Sequence, residues 1–291
     1  MSLTADDKPA DGSGWQQPPH EESCMSDPQI IAIMLIKNED LFIEQGIRNI
    51  LDFCDKIIVA DHHSTDGTSS IVRTLAAQYP KIDYRVIDHP SETHGFISGY
   101  AGGPNWVFGV DGDEVYDPER LRRFRPELLA GKHNAYFKVM GNVLNIQDLD
   151  REQRLGRGHL APPCRSMTKL YNFGAIDAWP PPTPERLHGG QITFRAGYSD
   201  MSVWPLFRER PWEDSPFRCL HLCFTSRSTL DKPGKDGKVR IRKGVGEGML
   251  WARNLRAWVM GLFGHELAPY YKRELYGRGP LVEKDISPFG L

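Results

Sequence analysis

Ile30-Ile31-Ala32-Ile33-Met34-Leu35-Ile36 runs straight into Lys37-Asn38-Glu39-Asp40, and the fold is read outward from this stretch. An unbroken apolar run of this length is a strand buried on both faces. Past the polar stop, Leu41, Ile43, Ile47, Ile50, Leu51 and Cys54 recur at helical spacing. Lys56-Ile57-Ile58-Val59-Ala60 is a second buried strand, ending at Asp61. His62 to Gly67 form a turn, and Thr68 opens a helix carrying Ile71, Val72, Leu75 and Ala76. Ile82 to Ile87 alternates as a third strand, and Trp106-Val107-Phe108-Gly109-Val110 is a fourth that runs into Asp111-Gly112-Asp113-Glu114. Asp117 then caps a helix with Pro118 at its first position. Alternating strands and helices predict an α/β fold with a mostly parallel sheet, which binds ligands beyond the carboxyl ends of its strands. Three of those ends are acidic: Glu39, Asp61 and the Asp111–Glu114 cluster.

The rest of the chain narrows the setting. Its 291 residues carry 36 Lys+Arg against 38 Asp+Glu, a net charge of −2, which argues against a dedicated nucleic-acid binder. No stretch approaches the ~20 apolar residues of a membrane span, and the polar start lacks the apolar core of a secretory signal. Residues 1–27 are expected to be a disordered leader, 28–230 the catalytic domain, and 231–291 a basic flexible loop with a C-terminal helical extension packed on it. The five cysteines show no framework spacing, which suits a reduced, cytoplasmic protein. In the irregular second half, Asn134 to Val139, Ser166 to Tyr171, Gln191 to Ala196 and Arg218 to Phe224 read as strands between Pro-rich loops. Met249 to Phe263 reads as an amphipathic helix.

Two aspartates flanking a glycine at a strand end can turn toward one ion. Oxygen ligands select hard cations, magnesium or manganese, whose shell substrate phosphates commonly complete. Such an ion suits departure of a phosphorylated leaving group. The alternative, a plain Asp-Gly-Asp turn, is outweighed by the two other acidic strand ends.

Ile33 to Glu39, Asp61-His62-His63-Ser64-Thr65-Asp66-Gly67-Thr68 and Trp106 to Glu114 resemble, in order and spacing, the family 2 glycosyltransferases of GT-A fold. The resemblance covers roughly residues 28–225. It implies a Rossmann-like central sheet with helices on both faces, and metal-dependent inverting transfer of a single sugar from a nucleotide-sugar, a UDP-sugar first, to a glycan, lipid-linked or other acceptor. By position, Asp61 would contact the base or ribose, with Lys37 and Glu39 lining the same pocket. Asp111 would approach the ribose and the metal, and Asp113 would be the principal metal ligand. Glu114 would orient the loop or the acceptor, and Asp66 would fix an Asx turn ahead of the next helix.

Inverting transfer also needs a general base. The resemblance places it after the Asp-x-Asp strand: Glu185 first, Asp177 next, the alternative for Glu185 being a surface pair with Arg186 or a neighbour. His221 is the candidate late histidine at the metal, the alternative being a satisfied core histidine, with His188 as the weaker alternate. Cys219-Leu220-His221-Leu222-Cys223 offers too few ligands for a closed zinc site, and its cysteines read as small core residues. Lys232, Lys235, Lys238, Arg240, Arg242 and Lys243 form either a lid over the diphosphate or a solvated loop. Trp251 and Trp258 read as core, with peripheral contact to a membrane as the alternative. Competing functions are a non-catalytic GT-A-like nucleotide or glycan binder and a nucleotidyltransferase; Lys37-Asn38-Glu39-Asp40 is not the Gly-rich loop expected of the latter.

Overall fold

The computed structural model describes residues 27–231, apart from 182, 184 and 189, and residues 276–291. The leader up to residue 26, the basic 232–243 stretch, and the 249–263 helix with Trp251 and Trp258 lie outside the described residues.

The first half alternates as its hydrophobic pattern predicts. It contains β1 (Ile30–Ile36), α1 (Ile43–Ile50), β2 (Lys56–Asp61), α2 (Thr68–Gln78), β3 (Ile82–Val86), α3 (Glu92–Ile97), β4 (Trp106–Asp111), β5 (Glu114–Tyr116) and α4 (Pro118–Leu129). The second half holds β6 (Lys138–Val139), β7 (Asn142–Asp150), β8 (Leu155–Leu160), β9 (Lys169–Asn172), β10 (Ile176–Ala178), β11 (Thr193–Phe194), β12 (Val203–Trp204), α5 (Leu206–Glu209), β13 (Arg218–His221) and β14 (Leu281–Asp285).

A seven-stranded sheet runs β12-β6-β9-β4-β1-β2-β3. β3, β2, β1 and β4 are parallel, whereas β9 is antiparallel to both β4 and β6. Register sets the site: Ile36 lies opposite Asp61 and Leu35 opposite Asp111, so three acidic strand ends reach one edge together. Alternation along β1 sends Ile30, Ala32, Met34 and Ile36 into the core shared with α1, α2 and α4. Ile31 and Ile33 face the other way, toward Ile97 of α3, Phe137, Phe173 and Trp179.

The second sheet, five strands in the order β14-β8-β7-β13-β5, was not expected. Its core gathers Phe42, Val115, Leu144, Ile146, Trp212, Leu220, Ile286 and Phe289. Where a helical extension was expected, residues 281–285 form strand β14, paired antiparallel with β8. Asn49 of α1 ties in the residues that follow, donating to the carbonyls of Tyr116 and Phe289 at 2.8 and 2.9 Å. The other expected strands are shorter than their apolar patterns. Arg218 to Phe224, for example, ends as a strand at His221, where Leu222 N donates to Asp113 O at 2.8 Å.

Asp117 caps α4 as its sequence position predicts, accepting from Arg120 N at 3.1 Å. Its Oδ2 accepts from Arg218 Nε and Nη2 at 3.0 and 2.7 Å, a buried ion pair between the cap and β13. The Arg218 guanidinium also donates to Trp212 O at 3.0 Å and lies 5.2 and 5.6 Å from the Trp212 and Phe289 ring centroids. Among the described residues no helix is long and apolar enough to cross a membrane.

Candidate active site

The turns after β1 and β2 are stitched together by small polar side chains. Asn38 N donates to Ser64 Oγ at 3.0 Å, Thr65 N to Asn38 Oδ1 at 2.7 Å, and Glu39 N to Thr68 Oγ1 at 2.8 Å. Asn38 sits at φ 54°, a left-handed conformation that asparagine tolerates better than most residues. Asp66 Oδ1 accepts from Thr68 N at 2.9 Å, the expected Asx turn. Asp61 is 1% exposed and fully engaged by its own chain. Its Oδ1 accepts from Ser64 N and Oγ at 2.9 and 2.6 Å, and its Oδ2 from Ser69 Oγ and Tyr84 Oη at 2.5 and 2.8 Å. Lys37 stands half-buried beside this turn.

Glycine between the two aspartates is dictated by packing. A Cβ on Gly112 would come within 2.6 Å of Glu39 Cγ, so its absence lets the first strand end press against the fourth. Arg227 joins the two ends electrostatically, donating from Nη1 to Glu39 Oε1 at 3.0 Å and to Asp113 Oδ2 at 2.9 Å. Burial raises the Glu39 carboxyl well above its ordinary range; Arg227 pulls it back, and Asp113 and Asp111 push it further up. Glu39 Oε2 is buried with no hydrogen-bond partner.

Asp111 is held differently. Lys169 Nζ donates to its Oδ2 at 2.6 Å, and Arg186 ion-pairs with Oδ1 while donating to Val110 O at 3.1 Å. Burial alone would raise its pKa, but Arg186 and Lys169 outweigh burial and hold it well below the usual carboxylate range. Glu114 Oε2 accepts from Asp111 N and Tyr116 Oη, both at 3.2 Å, and so orients the loop. Burial pushes Glu114 up to about 7, with Lys169 opposing and the two aspartates adding to the rise.

His221 pairs with Glu114 across β13–β5 and with Asn145 across β13–β7. Asn145 directs its amide nitrogen toward His159 O at 3.4 Å, and its Oδ1 lies 2.8 Å from His221 Nδ1. The assignment this network favours makes Nδ1 the donor and leaves Nε2 as the acceptor nitrogen, 3.7 Å from Asp113 Oδ2. Among the described residues no three His, Cys, Asp or Glu side chains form a ready metal cage. The donor set nonetheless fits a hard cation that keeps waters and phosphates in its shell: Asp113, an oriented imidazole, and the orphaned oxygen of Glu39 nearby.

Of the residues singled out in the sequence, Glu39, Asp111, Asp113 and His221 converge. Glu185 adjoins them through Arg186, half-buried, with His188 Nε2 3.8 Å from its Oε1. Glu185 has its neighbour His188 as partner rather than Arg186, whose guanidinium turns inward to Asp111. Asp177 stands exposed on β10, past the end of β9 that lies opposite Trp106, and shares no hydrogen bond or ion pair with these groups. Cys219 is buried in the core as expected, and Cys223 is half-buried. Sequence reading missed Lys169, Arg186, Arg227 and Asn145. Lys169 carried one usable signal, a lone cation inside an otherwise apolar strand stretch; Arg227 carried none.

Residues 31–201 match the model of the family described as Glycosyl transferase family 2, a span that includes Asp61, Asp111, Asp113 and Glu185 but not His221 or Arg227. The chain is similar to an uncharacterized glycosyltransferase of Rickettsia prowazekii, 26% identical over 153 residues, 50% of this chain and 46% of that protein. It is also similar to the lipopolysaccharide core biosynthesis glycosyltransferase LpsC of Rhizobium meliloti, 32% identical over 109 residues, 34% of this chain and 36% of that protein. The chain thus spans about half the length, or less, of the curated relatives it matches. Among solved structures it is similar to a mannosyltransferase from Pyrobaculum calidifontis in complex with GDP-Man and Mn2+. That match is 23% identical with a TM-score of 0.28, over 41% of this chain and 36% of the other.

Proposed function

The chain belongs to glycosyl transferase family 2, and from that premise we propose that it is a metal-dependent inverting glycosyltransferase. It moves a single sugar from a nucleotide-sugar, a UDP-sugar first, to a glycan, lipid-linked or other acceptor. The observation that carries this reading is the meeting of Asp113 and His221, 3.7 Å apart, beside the unpartnered Glu39 oxygen at the end of β4.

Asp113 and His221 would hold manganese or magnesium, which would supply positive charge against the diphosphate leaving group. Asp111 has both oxygens engaged by Lys169 and Arg186, so it faces the ribose rather than completing the ion's shell. Lys37 and Glu39 line the nucleotide side. Asp61 acts there through the turn it fixes, its oxygens being saturated by Ser64, Ser69 and Tyr84. Glu185 takes the proton from the acceptor hydroxyl at its carboxylate; Asp177, exposed beyond the end of β9 opposite Trp106, stands away from the site.

The reading is tested with a panel of UDP-, GDP- and dTDP-sugars and manganese, followed by calorimetry and by slow hydrolysis without acceptor. A panel with neither binding nor turnover would end the proposal. For the base, Glu185→Gln is expected to leave donor affinity intact and lower transfer about 10²- to 10⁴-fold. Unchanged transfer removes Glu185 from the role of base.

A further inference from the structure

We infer that a cavity next to this site receives an acidic group, phosphate or carboxylate, carried by the acceptor; the inference rests on the glycosyltransferase reading. The cavity, about 260 Å³, is lined by Pro162, Cys164, Arg165, Phe207, Arg208 and Arg278, among others. Phe207 is buried at its base, and the Arg208 guanidinium lies 5.4 Å from the centroid of that ring.

Cations are unevenly served in this molecule. Arg125 has Asp55, Arg186 has Asp111 and Arg218 has Asp117, each in an ion pair. The exposed Arg165 and Arg208 guanidiniums face the cavity with no carboxylate or hydrogen-bond partner among the described residues. Other exposed arginines, Arg151 and Arg154 among them, also lack a carboxylate partner among the described residues; what sets Arg165 and Arg208 apart is that both line one cavity. Each guanidinium can offer a bidentate fork to a phosphate or carboxylate, and the adjoining Phe207 and Pro162 suit the apolar face of a sugar. The volume lies just under the ~300–1,000 Å³ of sites for larger ligands, which suits one acidic sugar unit rather than a nucleotide.

Two connections join the cavity to the reacting centre. Cys164 Sγ donates to Tyr276 O and Arg278 O at 3.0 and 2.9 Å, fastening that segment, and the Tyr276 ring packs edge-on against His221 at 5.4 Å. On the other wall, Arg165 leads within one short stretch of chain to Lys169, which holds Asp111. An acceptor anchored here by its acid would lie beside the Tyr276 segment, whose ring meets His221.

The test titrates glucose 6-phosphate, glucuronate and glucose into the full chain by calorimetry, with UDP and manganese saturating so that the donor side is filled. Both acids are expected to bind and glucose is not; the tighter acid identifies the group. Arg165→Gln with Arg208→Gln is expected to weaken the tighter acid about tenfold or more. The inference is overturned if neither acid binds, if glucose binds equally well, or if the double variant binds the acids unchanged. UDP binding, measured first, separates the two readings. A chain that binds UDP but neither acid loses only the cavity. One that binds an acid through these arginines but none of the UDP-, GDP- and dTDP-sugars loses the glycosyltransferase reading and keeps an anion site. One that binds neither loses both.

Discussion

Asp113→Ala is expected to lower manganese-dependent turnover of a nucleotide-sugar by about 10²- to 10³-fold or more, the range that follows loss of one preorganised charge-stabilising group. Asp113 is 4% exposed, and its Oδ2 lies 2.9 Å from Arg227 Nη1 and 3.7 Å from His221 Nε2. Alanine removes the carboxylate that faces the imidazole, leaving only the His221 imidazole and the Glu39 oxygen of the donor set. Arg227 keeps its 3.0 Å contact with Glu39, so the change strikes ion binding harder than folding. Manganese titration by calorimetry, run beside the turnover assay, separates the two. Wild-type manganese affinity or turnover in the alanine variant would remove Asp113 from the metal site.

Asp117→Ala is expected to cost the most stability of any single change considered. Two functions sit on one carboxylate: the cap of α4, worth about 1 kcal/mol, and the partner of buried Arg218. Breaking a buried pair from one side costs about 3–5 kcal/mol, because the remaining charge is left uncompensated. For a chain of this size that corresponds to a drop in Tm of roughly 10 °C, at about 2–4 °C per kcal/mol. Asp117→Asn retains a cap acceptor while removing the charge and should fall between wild type and alanine. Thermal unfolding followed by circular dichroism measures all three; a shift below roughly 2 °C for alanine, the lower bound of that conversion for 1 kcal/mol, contradicts the buried-pair account.

The parallel sheet was legible in the sequence because its strands are buried on both faces, leaving continuous apolar runs such as Ile30–Ile36 that few other structures produce. The cap at Asp117 was legible because it depends on adjacent residues. β7 and β8 were not, since Asn142, Asn145, Asp148, Gly156 and Gly158 interrupt any strand pattern. Gly158 is small for a reason visible only in three dimensions, a Cβ there meeting Asn145 O at 2.2 Å. The site divides along the same line. Its carboxylates announced themselves by standing at strand ends, whereas the basic partners come from distant chain: Lys169 is 58 residues from Asp111, and Arg227 is 114 from Asp113. No local spacing encodes such pairs, so a cluster read as a bare anionic pocket carries its own compensating cations.

The late pairing of β14 with β8 has a consequence for the order in which the molecule matures. Synthesis delivers the parallel sheet first, with Asp61 and Asp111 already in register, and local strand-helix-strand contacts let it close early. The sheet that carries His221 lacks its outer strand until residues 281–285 emerge and Leu281 reaches His159. Until then the free edge of β8 is bare, and Leu144, Ile146 and Leu220 lack the cover of Ile286 and Phe289. The nascent chain is therefore most prone to sticking to its neighbours in the interval before residues 281–289 arrive, with its carboxylates assembled ahead of the completed histidine sheet.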